Sequence, residues 1–289
     1  MRWSRGHRSR NVEDRRHQSA GGGGSALPLL FMLARSKVGL TVIVIFFVIM
    51  WVSGVDPLSL LSGAGMPQPA GNPALDAAEE ELVEFVHWLL DDIQGTWSRI
   101  LAGSPTPYRD ATLVLFRDTV QSACGFAQSA SGPFYCPGDQ NVYIDLGFYD
   151  DLRRRFGAPG DFAQAYVIAH EIGHHVQNLL GIEREVRNLQ RGRPDQANAL
   201  SVRMELQADC FAGVWGHFAD IEGILDVGDL QEGITAAAAI GDDRIQRSSG
   251  QTVNPDAFTH GSAAQRVEWL GRGYEAGDPS ACDTFGAQQ

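Results

Sequence analysis

The sequence predicts an α+β domain, mainly helical with a small sheet, preceded by a single membrane-spanning helix. Three observations carry this. Apolar residues recur at helical spacing in several segments, most clearly at Leu82, Phe85, Val86, Leu89, Leu90 and Ile93. Short β-rich stretches, residues 111–116, Phe134-Tyr135-Cys136 and residues 141–145 (NVYID), are bounded by turn residues such as Pro137-Gly138-Asp139. An uncharged run of 18 residues, 38–55 (VGLTVIVIFFVIMWVSGV), has the length that a bilayer core requires.

The net charge of -12 hides an asymmetry. Residues 1–37 carry Arg2, Arg5, Arg8, Arg10, Arg15, Arg16, Arg35 and Lys37 against Glu13 and Asp14, and the remainder is strongly acidic. With four consecutive glycines, 21–24, this segment reads as a basic disordered cytoplasmic tail. The apolar run follows at once, so a membrane accounts for the basic residues better than nucleic acid, and no nucleic-acid partner is expected. The positive-inside rule places the N-terminus in the cytoplasm and the rest outside. No small-residue cleavage site follows the run, so it reads as an uncleaved anchor in the lipid bilayer. Residues 56–73 are Pro/Gly/Ser-rich and read as a flexible linker.

The folded domain is expected over residues 74–289. Asp76 with Glu79 reads as a capping box for a helix to about Leu101. Residues 147–156 read as a short helix, and Asp161 with Gln164 as the cap of a helix stopping at Gly181. A polar, Arg-rich stretch over 183–193 leads to a helix over about 195–218. Asp229 with Glu232 opens another to about Gln246, and Ser262 with Gln265 a last one to about Ala276.

The helix of residues 162–181 contains His170-Glu171-Ile172-Gly173-His174. Histidines at i and i+4 share one helix face and can grip one ion, and the glutamate between them can act on a water at that ion. A catalytic zinc site needs three protein ligands and an open position. Gln177 and Leu180 stand where a third ligand on the same helix would require Gly and His, so the third falls to Glu205 on a later helix, in Met204-Glu205-Leu206-Gln207-Ala208-Asp209. Asp209 shares its face and is placed to accept the N–H of a ligating histidine. His175 points about 100° away from His174 and reads as packing. His87 and His217 sit among apolar residues and receive no role.

Cys124, Cys136, Cys210 and Cys282 are an even number in a domain read as exported, which suggests two disulfides. Three pairings exist; the one with a short loop joins Cys124 to Cys136 and leaves Cys210 with Cys282. No C-x-x-C spacing supports a cysteine zinc site.

H-E-x-x-H followed by E-x-x-x-D on a later helix resembles the gluzincin metallopeptidases. The segments HEIGHHVQNLLGI, GPFYCPGDQNVYIDLGFYDDL, RFGAPGDFAQAY and MELQADCFAGVW are similar to the neutral zinc metallopeptidase family of bacterial membrane proteins, from about Ala74 onward. The resemblance implies a zincin-like fold with one Zn2+ per chain on His170, His174 and Glu205, and Glu171 as general base. It implies hydrolysis of a protein or peptide substrate, and with the anchor and orientation read above the chain is expected to be a membrane-anchored zinc endopeptidase acting outside the cytoplasmic membrane. By the same likeness His260, in Thr259-His260-Gly261-Ser262, is the candidate to stabilise the oxyanion, and Arg266 to orient the site or fix its segment. By analogy with zincins, residues 141–145 would pair with the substrate backbone. A competing reading is a catalytically silent zinc-binding membrane protein acting through a partner; the complete set of His170, Glu171, His174 and Glu205 argues against it. A protease working within the bilayer is disfavoured because Gln164, Gln177 and Asn178 interrupt the motif helix.

Overall fold

The computed structural model describes residues 1–18 and 73–286. Met1–His17 and Glu81–Gln289 make one compact unit and Gln18–Glu80 another, of which only Gln18 and residues 73–80 are described. The anchor expected at 38–55 lies outside the described residues, as does all but Pro73 of the linker. Among the described residues no helix is long and apolar enough to cross a membrane.

The expectation of a disordered tail fails for residues 1–17. Strand β1 (Val12–Asp14) pairs in parallel with β2 (Thr112–Phe116), Val12 facing Leu113 and Asp14 facing Leu115. The Leu113 N–H donates to the Asn11 carbonyl at 2.8 Å, and the Arg15 N–H to the Leu115 carbonyl at 2.7 Å. The reason is charge complementarity, which composition counted but could not place. Arg2 reaches Asp226 at 2.9 Å, His7 reaches Asp91 at 2.7 Å, Arg8 reaches Glu84 at 3.1 Å, and Arg5 pairs with Glu81. The Trp3 ring adds apolar contact, 5.5 Å from that of Phe85.

The main sheet has the order β1-β2-β6-β5, with β5 (Phe134–Cys136) antiparallel to β6 (Asn141–Asp145) and the other pairs parallel. Thr112–Phe116 reads as a continuous apolar run because β2 is buried on both faces. Leu113 and Leu115 enter the main core, and Val114 and Phe116 a smaller one with Val120 and Tyr143. That smaller core lies beside a hairpin the sequence reading missed, β3 (Thr119–Ser122) and β4 (Gly125–Gln128). The Cys124–Cys136 disulfide ties its turn to β5, and the second disulfide joins Cys210 to Cys282.

Helix α1 (Pro73–Ile100) buries Val86, Leu89, Leu90, Ile93 and Trp97 in the main core. It begins ahead of Asp76, so Asp76 is inside the helix rather than its cap. Helix α2 (Gly147–Arg154) is short, as expected, and α3 (Asp161–Leu179) carries the His/Glu motif. The N-cap of α3 is Gly160 with no side-chain cap of its own; instead Glu232 accepts the Phe162 N–H at 3.2 Å. Gly181 takes the left-handed conformation after α3, at φ 78°. The Arg-rich stretch that follows is helical, α4 (Ile182–Gly192). Helix α5 (Ala197–Ile221) carries Glu205 and Asp209. The single helix expected over 229–246 is two, α6 (Asp229–Ala239) and α7 (Asp242–Ser248). They part at Gly241, where a Cβ would stand 2.3 Å from the Ala263 nitrogen. Helix α8 (Ala263–Ala276) has the expected capping box of Ser262 and Gln265. It crosses α5 backbone to backbone: a Cβ on Gly273 would lie 1.9 Å from the Cys210 carbonyl oxygen.

Candidate metal centre

Two helices approach closely enough to bring both histidines against one carboxylate because the residue just before His174 is glycine. A Cβ on Gly173 of α3 would lie 3.0 Å from the carbonyl oxygen of Ala208 on α5 and 3.1 Å from its Cα. Ala208 stands between Glu205 and Asp209, so the tight contact sets both carboxylates against the histidines. His170 Nε2 is 3.1 Å from Glu205 Oε2, and His174 Nε2 is 3.5 Å from Glu205 Oε1. One atom from each of these three residues falls within 4.8 Å of the others.

The hydrogen bonds on the far side of each ring decide which nitrogen is free. His170 Nδ1 is 2.8 Å from Asp209 Oδ1, an acceptor, so Nδ1 keeps its proton and Nε2 is the nitrogen left to offer a lone pair to an ion. His174 Nδ1 is 2.9 Å from Gln177 Oε1. The Gln177 amide nitrogen donates to the Met204 carbonyl at 2.8 Å and to Gln207 Oε1 at 3.0 Å, which fixes its oxygen as the atom facing His174. Both Nε2 lone pairs therefore point into the space shared with Glu205. Two imidazoles and a carboxylate so arranged fit a zinc ion with an open position. The electrostatics agree. Burial disfavours charge on His170, but Asp209 and Glu205 outweigh it and push the imidazole up to about 10. Burial likewise opposes ionisation of Glu205, yet His174 and His170 hold it well below the usual carboxylate range. The site is built to stabilise positive charge.

Glu171 is buried beside the histidines, and burial raises its pKa, suiting a carboxylate that has to take up a proton. Asp209, with no exposed surface, is held by Arg266, whose Nε and Nη2 donate to its two oxygens at 2.9 Å each. The Tyr166 hydroxyl donates to Asp209 Oδ1 at 2.5 Å and accepts from Arg266 Nη2 at 3.0 Å. Burial alone would raise the Asp209 carboxyl, but Arg266 and His170 keep it low. Tyr166 and Gln177 were missed by the sequence reading. The helical period could have found them, since Tyr166 lies one turn before His170 and Gln177 one turn after His174.

His260 lines the same cavity as His170, Glu171, His174 and Glu205. Asp242 organises it from the start of α7, its Oδ2 accepting the backbone N–H groups of Thr259 and His260 at 2.7 Å and of Gly261 at 3.1 Å. Its Oδ1 lies 3.2 Å from His260 Nδ1, so the proton sits there and the neutral ring has a bare Nε2. Nothing near His260 in the sequence pointed to this partner. His175 packs, as expected: its Nε2–H donates to the Arg109 carbonyl at 2.6 Å, and its Nδ1 accepts the Tyr135 hydroxyl at 3.0 Å. His87 accepts the Ser9 N–H at 3.0 Å, and His217 donates to the Tyr274 carbonyl at 2.7 Å.

The cavity holds about 680 Å³ and is bordered by β5 through Phe134 and Tyr135. A second hollow of about 260 Å³ meets it at Tyr135, His174 and Glu205. β6 has β2 on one side and β5 on the other, so residues 141–145 have no edge to offer a substrate; among the described residues the free edge beside the cavity belongs to β5.

A buried pair of helices presents two imidazoles and a carboxylate, with the second carboxylate of Glu171 next to them, which is the donor set of a candidate metal centre. The chain belongs to the family described as "Putative neutral zinc metallopeptidase", whose model matches residues 1–285. The match begins ahead of the Ala74 start expected from the motifs and takes in the N-terminal strand. The chain is 48% identical over 287 residues to the uncharacterized protein YpfJ of Escherichia coli, covering 99% of each. It is 44% identical over 209 residues to the uncharacterized protein Rv2575 of Mycobacterium tuberculosis, covering 68% of each. No solved structure matches it significantly.

Proposed function

We propose that the chain is a membrane-tethered zinc endopeptidase of the gluzincin type. The observation that carries this is the convergence of two fixed imidazole lone pairs and the Glu205 carboxylate beside a buried Glu171. His170, His174 and Glu205 would hold the zinc ion, which would supply a Lewis acid for a peptide carbonyl and for a water. Glu171 takes the proton of the attacking water and passes it to the leaving amine. His260 donates from Nε2 to the oxygen that gains charge, which requires its protonated form because Asp242 holds the other ring proton. Asp209, Arg266 and Tyr166 keep His170 in its working tautomer.

A chain running through both hollows past His174 and Glu205 has room on either side of the scissile bond, which favours internal cleavage over removal of a terminal residue. Phe148, Phe156, Val167, Ile240 and Ile245 line the larger hollow and offer an apolar seat for a side chain. An extended peptide added to the β5 edge would be held by its backbone. Residues 38–55 attach the chain to the bilayer, and the two disulfides suit an oxidising compartment outside the cytoplasm.

The test is digestion of a peptide mixture blocked at both ends, with the products read by mass spectrometry, with and without a chelator. Chelator-sensitive cleavage at internal bonds is expected. Cleavage confined to an unblocked control set would overturn the endopeptidase reading.

A further inference from the structure

We infer that residues 1–17 lie on the same face of the membrane as the catalytic domain, so that the apolar run 38–55 tethers the chain without separating its two ends. This rests on the membrane attachment proposed above and replaces the single crossing with a cytoplasmic N-terminus.

The first argument is contact. A bilayer core is about 30 Å thick. Across it, the Leu113 N–H cannot reach the Asn11 carbonyl at 2.8 Å, nor the Ser9 N–H the ring of His87 at 3.0 Å. The Ser9 hydroxyl also donates to Asp91 at 2.6 Å, and Ser9 and Arg16 are both buried. The arm is thus part of the folded unit and not a tail resting on it.

The second argument concerns the charges that suggested a cytoplasmic N-terminus. Arg2, Arg5, Arg8, Arg15 and Arg16 are ion-paired with Asp226, Glu81, Glu84, Glu13 and Asp14 respectively. They also lie outside the roughly 15–20 residues beside a span over which basic residues set orientation. Arg35 and Lys37 alone remain close to the run, a much weaker signal than eight charges.

The third argument is what β1 covers. Without it, the edge of β2 would be left unpaired, an exposed template for association with other chains.

Two single variants of the full chain test this, Ser4→Cys in the arm and Ser98→Cys on α1, both at exposed positions. The four native cysteines are disulfide-bonded and do not compete. Each variant is expressed in a bacterial host, and spheroplasts are treated with a membrane-impermeant maleimide before and after lysis. The expected result is a chain that resists carbonate extraction from membranes, with both cysteines labelled to the same extent before lysis. Labelling of Ser98→Cys before lysis but of Ser4→Cys only afterwards would overturn the shared face. Recovery of the chain in the soluble fraction would overturn the tether. Neither readout uses metal or catalysis, so the peptidase reading stands or falls separately.

Discussion

Asp209 Oδ1 stands 2.8 Å from His170 Nδ1, on the opposite side of the imidazole from Glu205. The same carboxylate is clamped by Arg266, which is itself buried, so histidine, aspartate and arginine form one hydrogen-bonded unit beneath the candidate metal centre. Replacing Asp209 by Asn keeps the shape but removes the charge that offsets Arg266. Metal affinity is expected to fall about 10–100-fold. Competition against a chromophoric chelator measures it, and an unchanged affinity would show that Asp209 does not orient His170.

Gln177 does for His174 what Asp209 does for His170, without charge. Gln177→Leu keeps the volume and deletes the acceptor at His174 Nδ1. The ring is then free to turn, and metal affinity should drop several-fold while the circular dichroism spectrum is retained. Equal affinity in the two proteins would remove Gln177 from the site.

The role proposed for His260 gives the pH dependence a definite sign. The hydrogen bond that His260 Nδ1–H donates to Asp242 raises the His260 pKa above its ordinary value of about 6.5, burial opposing. The imidazolium is present at low pH and is lost as pH rises through the raised value; the pair's contribution to stability goes with it. Hydrolysis should therefore decline on the alkaline side. In Asp242→Asn that limb should move to lower pH, with kcat falling more than KM changes. A profile that does not move would sever His260 from catalysis.

Gly273 tests the packing that aligns α5. A methyl group there meets the Cys210 carbonyl oxygen, so Gly273→Ala must push α8 away from the helix that carries Glu205 and Asp209. A loss of roughly 1–3 kcal/mol or more in urea unfolding is expected, as for an overfilled core. Unchanged stability would mean the two helices are free to separate.

How much of this was legible in the sequence depended on how far each signal reached. The clustering of His170, His174, Glu205 and Asp209 was readable because they repeat at one-turn spacing on helices whose periodicity is strong. The α8 cap was readable because Ser262 and Gln265 act on each other locally. Distant partners were not. Glu232 caps α3 in place of Asp161, and Asp242 organises His260, each from another element. The helix expected over 229–246 breaks at Gly241 because the α8 start presses on it, a contact no local pattern records. β1 was hidden by its composition: Arg, Ser and Gly read as disorder, while the acidic surface that orders them lies far along the chain. The Arg-rich α4 was missed because it buries only Val186 and so lacks a wide apolar stripe.

The most direct measurement is metal content together with peptide hydrolysis on the full chain in detergent, wild type beside Glu171→Gln. The account predicts one zinc per chain in both proteins and chelator-sensitive hydrolysis in the wild type alone. A folded wild-type chain that binds no zinc, or a Glu171→Gln chain that still hydrolyses peptide, would contradict it.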